Sequence, residues 1–366
     1  MNNLNSLGFT HNGRKYYIFY DIFLHYNNNK ITAVSPYYGE EIQLEKFYDI
    51  HNIKIIIDDH TIIGKYIPFG IKGWEPCILY DFEHPCIETF AKKEYIKLKV
   101  IAGNYNKEFT IYPKKSKNEL VVATCTKNEN RWMKFYLEYY TKILNVDHIY
   151  IYDNNTNKEL QEELKLLVCN YRDRVSYIPW YFRWKNNKNK QIGQPQQEAH
   201  TLNKFNNKWV GFFDTDEFLF LKNKSVKDLL NSYDYKEVKA VSFENKWCMY
   251  KGSKKYEEIT NPLIEFKYTK KHEHFRRLQK LFVNQSKVRF CRFHWISEYL
   301  NCKDGKIANS IDETPNYEYF FYHYFIRDFR FYEGVQGIEF GKNGVYDDEM
   351  SNFIQFKIKN NSELFN

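Results

Sequence analysis

The sequence predicts an α/β protein whose main sheet is mainly parallel, preceded by a smaller β-rich region. Three observations carry that expectation. From residue 119 onward, apolar runs of strand length alternate with helix-length segments, the pattern of βαβ crossovers. Residues 1–115 show short β-rich runs cut by turn residues and no sustained helical period. Hydrophobic residues form 43 % of 366 residues, enough for a full core.

In the N-terminal part the expected strands are Lys15–Phe23, Lys54–Ile57, Ile96–Ile101 and Phe109–Tyr112, separated by turn signals at Asn12-Gly13, Asn27 to Asn29, Pro36, Gly64, Gly70 and Gly73. Pro113–Asn118 reads as a linker. Leu120–Thr126 is a continuous apolar run, as a strand buried on both faces requires. Trp132, Phe135, Tyr136, Tyr139, Tyr140 and Ile143 then recur at helical spacing. His148–Tyr152, Val175–Ile178 and Trp209–Phe213 read as the next strands, with helices over Leu160–Val168 and Gln194–Phe205 between them. Lys185–Lys190 reads as a polar loop, and beyond Ser242 the pattern is mixed. The expected division is a β-rich region over 1–115, a catalytic domain over 116–350 and a C-terminal tail over 351–366. Sheets of this kind bind ligands at the carboxyl ends of their strands.

Bulk properties exclude several classes. The net charge of +8 is spread along the chain, without the basic stripe of a dedicated nucleic-acid binder. Such a binder would also show steep salt dependence. Seven cysteines, an odd number with no CxxC pair, speak against a zinc site and against a disulfide framework. No apolar signal segment and no membrane-spanning run is present, so the expectation is a cytoplasmic protein with at most peripheral membrane association. The aromatic share of 19 % has two readings, coding bias or carbohydrate stacking.

The strongest chemical signal is Phe212-Phe213-Asp214-Thr215-Asp216-Glu217-Phe218. Two carboxylates at i and i+2 on a strand end point the same way. They repel unless a cation lies between them, and oxygen ligands suit Mg²⁺ or Mn²⁺, which bridge to phosphate oxygens. Glu217, as the next residue, is expected to face away. The bland reading is a solvated acidic turn. Thr126-Lys127-Asn128-Glu129 is read as closing the first strand and opening a helix, whose N-terminus attracts anions. Asp153 and Asn154 end the second strand, with Asp153 placed for a nucleoside ring or ribose hydroxyls. Alone, each such group is more often a cap or a turn; their occurrence at successive strand ends is what adds weight.

The segment from Val121 to Leu221 resembles glycosyltransferase family 92 and related family-2-like transferases. Lys127-Asn128-Glu129 is similar to the family's KNE start, Val146 to Thr156 to its second strand, and Asp214-Thr215-Asp216-Glu217-Phe218 to its DxD strand end. A looser resemblance continues through Asn245-Lys246-Trp247, Gly252-Ser253, Arg276-Arg277-Leu278-Gln279-Lys280, Phe293-His294 and His323-Tyr324 to Asp328, which stands where the family has Ser.

The resemblance implies a GT-A fold and a glycosyltransferase. It would move a sugar from a nucleoside-diphosphate-sugar, such as UDP-galactose, to a glycan, glycoprotein or glycolipid acceptor, with Mn²⁺ (or Mg²⁺) and with inversion. Asp214 and Asp216 would then hold the cation, with His294 and His323 as further candidate ligands. Lys127, Asn128, Glu129, Asp153, Asn154, Asp214, Arg276 and Lys280 are the donor-binding candidates, and Trp247 and His323 the acceptor candidates. Asp216, Glu244 and Asp328 are the catalytic candidates, the general base lying among Glu244, Glu298 and Asp328. A leaving diphosphate needs its developing charge stabilised, which is the case for Arg276, Arg277 and Lys280; the bland reading of their basic run is a solvated loop. The bland reading of each histidine is structural, and of Trp247 a core filler. The alternative function is a catalytically degenerate protein that binds carbohydrate or nucleotide-sugar.

Overall fold

The computed structural model describes residues 4–36, 38, 44–71, 74–113, 117–128, 130–185, 192–222, 224–250, 253–266, 268–270, 279–292, 295–296, 306–308, 319–324, 344–346 and 352. The expected tail over 351–366 lies outside them apart from Asn352.

The N-terminal strands are β1 (Leu7–His11), β2 (Arg14–Phe19), β3 (Asp21–Leu24), β4 (Lys30–Pro36), β5 (Lys54–Ile57), β6 (His60–Ile63), β7 (Lys65–Ile71), β8 (Trp74–Glu83), β9 (Ile96–Ala102) and β10 (Tyr105–Ile111), with the short helix α1 (Cys86–Phe90) after β8. They form a β1-β2 ribbon and two four-stranded sheets, β3-β4-β8-β7 and β10-β9-β5-β6. The run expected as one strand over 15–23 breaks at Tyr20, whose ring stacks on Phe182 at 3.7 Å.

The main sheet starts with β11 (Lys117–Thr126), β12 (His148–Asp153), β13 (Val175–Pro179) and β14 (Asn206–Phe212). These run parallel in the order β13-β12-β11-β14. The expected linker is shorter than predicted, since Lys117 and Asn118 already belong to β11. Three helical segments connect the strands: α2 (Met133–Glu138), continued by a π-helical turn over Tyr139–Ile143, then α3 (Lys158–Cys169) and α4 (Gly193–Lys204). Alternate β11 residues enter different cores. Leu120 and Val122 join the cluster of α2 and α3, whereas Val121 and Ala123 join that of Leu202 and Phe205 at the end of α4. Burial on both faces is why the run reads as continuously apolar.

Beyond β14 come β15 (Glu217–Leu221), α5 (Val226–Asn231), β16 (Val238–Met249), α6 (Pro262–Glu265), β17 (Tyr268–Lys270), β18 (Lys280–Asn284), β19 (Cys291–Arg292), β20 (Trp295–Ile296), β21 (Lys306–Ala308), β22 (Tyr319–Tyr324) and β23 (Gly344–Tyr346). Here the sheet becomes mixed. β18 is antiparallel to both β14 and β16, and β22 is parallel to β16 but antiparallel to β15. The mainly parallel expectation therefore holds for the first half of the sheet only. Among the described residues no helix is long and apolar enough to cross a membrane.

The N-terminal strands pack on α4. This helix buries Gln196, Gln197, Glu198, His200, Thr201 and Asn203 almost completely, a composition that survives burial only when hydrogen-bonded. His200 Nε2 lies 2.8 Å from Asp21 Oδ2 and its Nδ1 lies 2.6 Å from Tyr152 Oη. Lys204 Nζ donates to the same Asp21 oxygen at 2.6 Å. A second node joins Arg289 to Asp81 through two hydrogen bonds of 2.8 and 2.9 Å.

Burial alone would push the Asp21 carboxyl up, but Lys204 and His200 outweigh it and lower it from 3.8 to about 2. A depressed folded-state value stabilises the fold above the unfolded value, and that contribution is lost as pH falls through the folded one. We expect Asp21 to account for about 2 kcal/mol lost between roughly pH 4 and pH 2. Thermal midpoints across that range should therefore fall less steeply for Asp21→Asn than for the wild type.

Candidate active site at the strand ends

The carboxyl ends of β11, β12, β13 and β14 bring Thr126, Asp153, Pro179 and Phe212 to one edge of the sheet. The acidic motif lies just past that edge. β14 stops at Phe212, the chain turns at Thr215 and Asp216, and β15 begins at Glu217. Three buried tyrosines hold this segment by its backbone. Tyr136 Oη donates to Phe213 O at 3.0 Å, Tyr140 Oη to Glu217 O at 2.9 Å and Tyr139 Oη to Leu219 O at 2.7 Å. The π-helical turn that starts at Tyr139 adds a residue to the helical register here, a device frequent at functional sites. Tyr140→Phe keeps the ring and strands one buried carbonyl, so a loss of about 1–2 kcal/mol in chemical denaturation is expected.

The side chains converge. Lys280 Nζ is 3.1 Å from Asp214 Oδ2 and 2.9 Å from Glu217 Oε2. Gln194, in the first turn of α4, donates its Nε2 to Asp214 Oδ1 at 3.0 Å. His323 Nε2 is 3.5 Å from Asp216 Oδ2, and its Nδ1 is 3.7 Å from Glu217 Oε1. The Tyr324 N–H donates to Asp216 O at 2.8 Å. Asp216, Glu217 and Lys280 are each at most 2 % exposed, so these charges interact with little solvent screening.

Glu217 is the main correction to the sequence reading. Strand alternation would turn it away, but alternation does not run through a turn. The Asp214 N–H donates to Glu217 Oε2 at 2.8 Å, and the Glu217 N–H donates to Asp214 O at 3.0 Å. This closed loop folds the Glu217 carboxylate back against Lys280. Burial raises the Glu217 carboxyl above its ordinary value and Asp214 and Asp216 add to the rise, while Lys280 and His323 oppose it. Burial lowers the Lys280 ammonium, but Asp214 and Glu217 more than compensate and hold it above the ordinary lysine value.

The second correction concerns Thr126 to Glu129. α2 begins only at Met133, so Lys127 and Asn128 stand in a loop and not at a helix N-terminus. Asn128 has φ +55°, a left-handed conformation that Asn tolerates. Its Oδ1 accepts from Thr156 N at 2.8 Å and from Thr156 Oγ1 at 2.9 Å. Asn128 thus straps the loop after β11 to the loop after β12. Lys127 is exposed, with Nζ 5.5 Å from the Trp184 ring centre.

Asp153 is fully buried, and its Oδ2 accepts from Tyr177 at 2.5 Å and from Tyr181 at 3.3 Å. Tyr181 is 47 % exposed, and its hydroxyl also pairs with that of Tyr177 at 2.6 Å. The Asn154 amide donates to the carbonyls of Trp180 and Phe182 and shapes the same corner. β12 and β14 flank β11, so Asp153 and the segment of Asp214 lie on either side of the β11 end; burial, with both aspartates adding to it, holds the Cys125 thiol there well above its ordinary value.

Register carries the row further. Glu217 pairs with His323 across β15 and β22, and His323 pairs with Trp247 across β22 and β16. Glu244 pairs with Phe320 on the same strands. Glu129, Arg276, Arg277, His294, Glu298 and Asp328 lie outside the described residues, as does the side chain of Trp247. Sequence reasoning missed Glu217, Gln194 and the tyrosine hydroxyls. The available signal was the choice of Tyr over Phe at 136, 139 and 140, on a face that burial alone would have satisfied with Phe.

A model of glycosyltransferase family 92 matches residues 119–366, more than half of the chain. A glycosyltransferase family 92 protein of Oryza sativa subsp. japonica is 30% identical over 133 residues, covering 36% of this chain and 21% of its own length. One of Arabidopsis thaliana is 31% identical over 127 residues, covering 32% of this chain and 20% of its own. The chain thus spans about a fifth of the length of the curated relatives it matches. Among solved structures, the apo structure of the WbbM bifunctional glycosyltransferase is similar over 38% of this chain and 27% of that chain, with TM-score 0.25 and 9% identity. A likeness of that size carries no argument.

Proposed function

The chain belongs to glycosyltransferase family 92, and from that premise we propose that the acidic cluster is the donor site of a metal-dependent sugar transferase of GT-A type. One observation carries the reading: Asp214 and Glu217 share one buried ammonium, Lys280, and Asp216 and Glu217 share His323, all beside the carboxyl edge of the parallel strands. Carboxylates gathered this closely repel one another unless a cation lies between them, the role a divalent ion would fill.

The donor atoms fit that ion. Carboxylate oxygens from Asp214 and Asp216, with the His323 imidazole as a further ligand, are the set that suits Mn²⁺ or Mg²⁺. The ion, when bound, supplies charge neutralisation for the leaving diphosphate. Lys280 and Gln194 hold both oxygens of Asp214 and so aim its carboxylate. Lys127 and Asn128 border the donor, as does Asp153 with the Tyr181 hydroxyl it accepts from. Glu129, Asn154 and Arg276 keep their proposed donor roles.

The donor in this reading is a UDP-hexose such as UDP-galactose, and the acceptor a glycan, glycoprotein or glycolipid. The acceptor hydroxyl attacks the anomeric carbon, its proton goes to a carboxylate base, and the nucleoside diphosphate leaves with inversion. Glu244 is the described candidate for that base, with Asp328 the other. Trp247 and His323 are assigned to the acceptor side, and His294 to the metal. The catalytic unit is taken as 116–350, with 1–115 as its β-rich support.

Nucleotide release from a panel of UDP- and GDP-sugars, with Mn²⁺ and with chelator, tests the proposal. Release that requires metal and selects one donor supports it. Metal-dependent binding without turnover would move the chain to the degenerate binding alternative. Neither binding nor turnover of any donor would refute the donor site.

A further inference from the structure

We propose that His60, His84 and Cys86, in the N-terminal β-rich region, form a second metal site, for a transition-metal ion of the zinc class. One ligand atom from each lies within 4.8 Å of the others. His84 Nδ1 is 2.8 Å from Cys86 Sγ, and the His60 and His84 rings are 4.9 Å apart between centres. No residue of the acidic cluster takes part.

The donor set decides the class of ion. One thiolate and two imidazoles suit zinc and other borderline or soft transition metals, whereas Mg²⁺ and Ca²⁺ take oxygen ligands. Three protein ligands leave the fourth tetrahedral position to water. Bond lengths of about 2.0–2.3 Å put tetrahedral N and S ligands roughly 3.5 Å apart, so the three groups need to shift by only about 1 Å.

The scaffold prepares the imidazole, whereas the thiol gives up its proton only on binding. The Cys86 N–H donates to His84 Nδ1 at 3.3 Å, which selects the tautomer with an unprotonated Nδ1, the form that ligates metal. Burial and the neighbouring Asp58 keep the Cys86 thiol above its ordinary value, the backbone N–H of Cys86 opposing them. Binding therefore breaks the Sγ–H bond, forms the Sγ–metal bond and releases one proton to solvent. Both supports are anchored in the core. His60 opens β6 opposite Ile57 of β5, two residues after Asp58 with φ +49°. Ile57 and Ile87, the latter adjacent to Cys86, are both core residues. A bound ion would staple the β5–β6 hairpin to the segment that leads from β8 into α1.

The sequence reading argued against zinc because no CxxC pair occurs. Here one ligand opens β6 and two stand where β8 leads into α1, a juxtaposition that no local spacing reveals.

The test uses the full chain, reduced and freed of metal, titrated with Co²⁺ and followed by absorption. The expected result is a thiolate-to-cobalt charge-transfer band that saturates at one equivalent and is displaced by Zn²⁺. Cys86→Ser should abolish the band. His60→Ala, at an exposed position where folding is not at stake, should weaken the affinity at least tenfold. Asp216→Asn should leave the band unchanged, which separates this site from the strand-end cluster. A wild type without the band, or a band of unchanged strength and affinity in His60→Ala, would overturn the proposal.

Discussion

Replacing Asp216 by Asn is expected to lower metal-dependent nucleotide release by at least about 100-fold, the effect of several kcal/mol on a barrier. The substitution is nearly isosteric, and the backbone bond from Tyr324 N to Asp216 O does not depend on the side chain. What changes is one negative charge in a cluster that is 2 % exposed at this residue. Removing that charge takes away an anionic oxygen ligand, so the concentration of Mn²⁺ needed for half-maximal release should also rise. A circular-dichroism melt close to that of the wild type would show that the fold survives. Activity within about threefold of the wild type, at matched Mn²⁺, would remove Asp216 from the machinery and with it the assignment of the cluster.

The order of elements in the first half of the main sheet was legible because burial on both faces leaves a local mark. Leu120–Ala123 and Ile149–Tyr152 are apolar at every position, since alternate residues enter opposite cores. The position of Asp214 and Asp216 was legible for the same reason, as polar residues that interrupt such a run at its end. The direction of Glu217 was not, because a turn resets the alternation on which the reading relied. Nor was the burial of α4. Its Gln196, Gln197, Glu198 and His200 carry no apolar signal, and what covers them comes from strands far earlier in the chain, with Asp21 reaching His200 across 179 positions. Long-range polar pairing leaves no periodic signal. The loop over Lys127 and Asn128 was misread as a helix start because the helical spacing begins only a few residues later, at Trp132. In the fold Asn128 accepts from Thr156 instead.

Lys280→Met should be the most destabilising single change in the cluster, costing about 3–5 kcal/mol, as expected when one member of a buried charge group is removed. Methionine nearly matches the stem of lysine, so the loss is electrostatic and not a cavity. With the ammonium gone, Asp214 and Glu217 face each other, and Glu217 is fully buried. The native contribution of Lys280 has a defined pH window. Its folded-state value is raised, so the stabilisation is complete below the ordinary lysine range and is lost as pH rises through the higher folded value. Urea denaturation at pH 7 and at alkaline pH should therefore show the gap between wild type and Lys280→Met narrowing as pH climbs. The pair with Glu217 provides the control. Adding Glu217→Gln to Lys280→Met removes the stranded buried charge, and most of the lost stability should return, giving a coupling energy well outside additivity. Catalysis should not return with it, because Asp214 would keep Gln194 on one oxygen and lose the lysine that holds the other. Recovery of both stability and nucleotide release in the double variant would show that Lys280 serves the fold alone, and the donor site would then rest on Asp214, Asp216 and His323 without it.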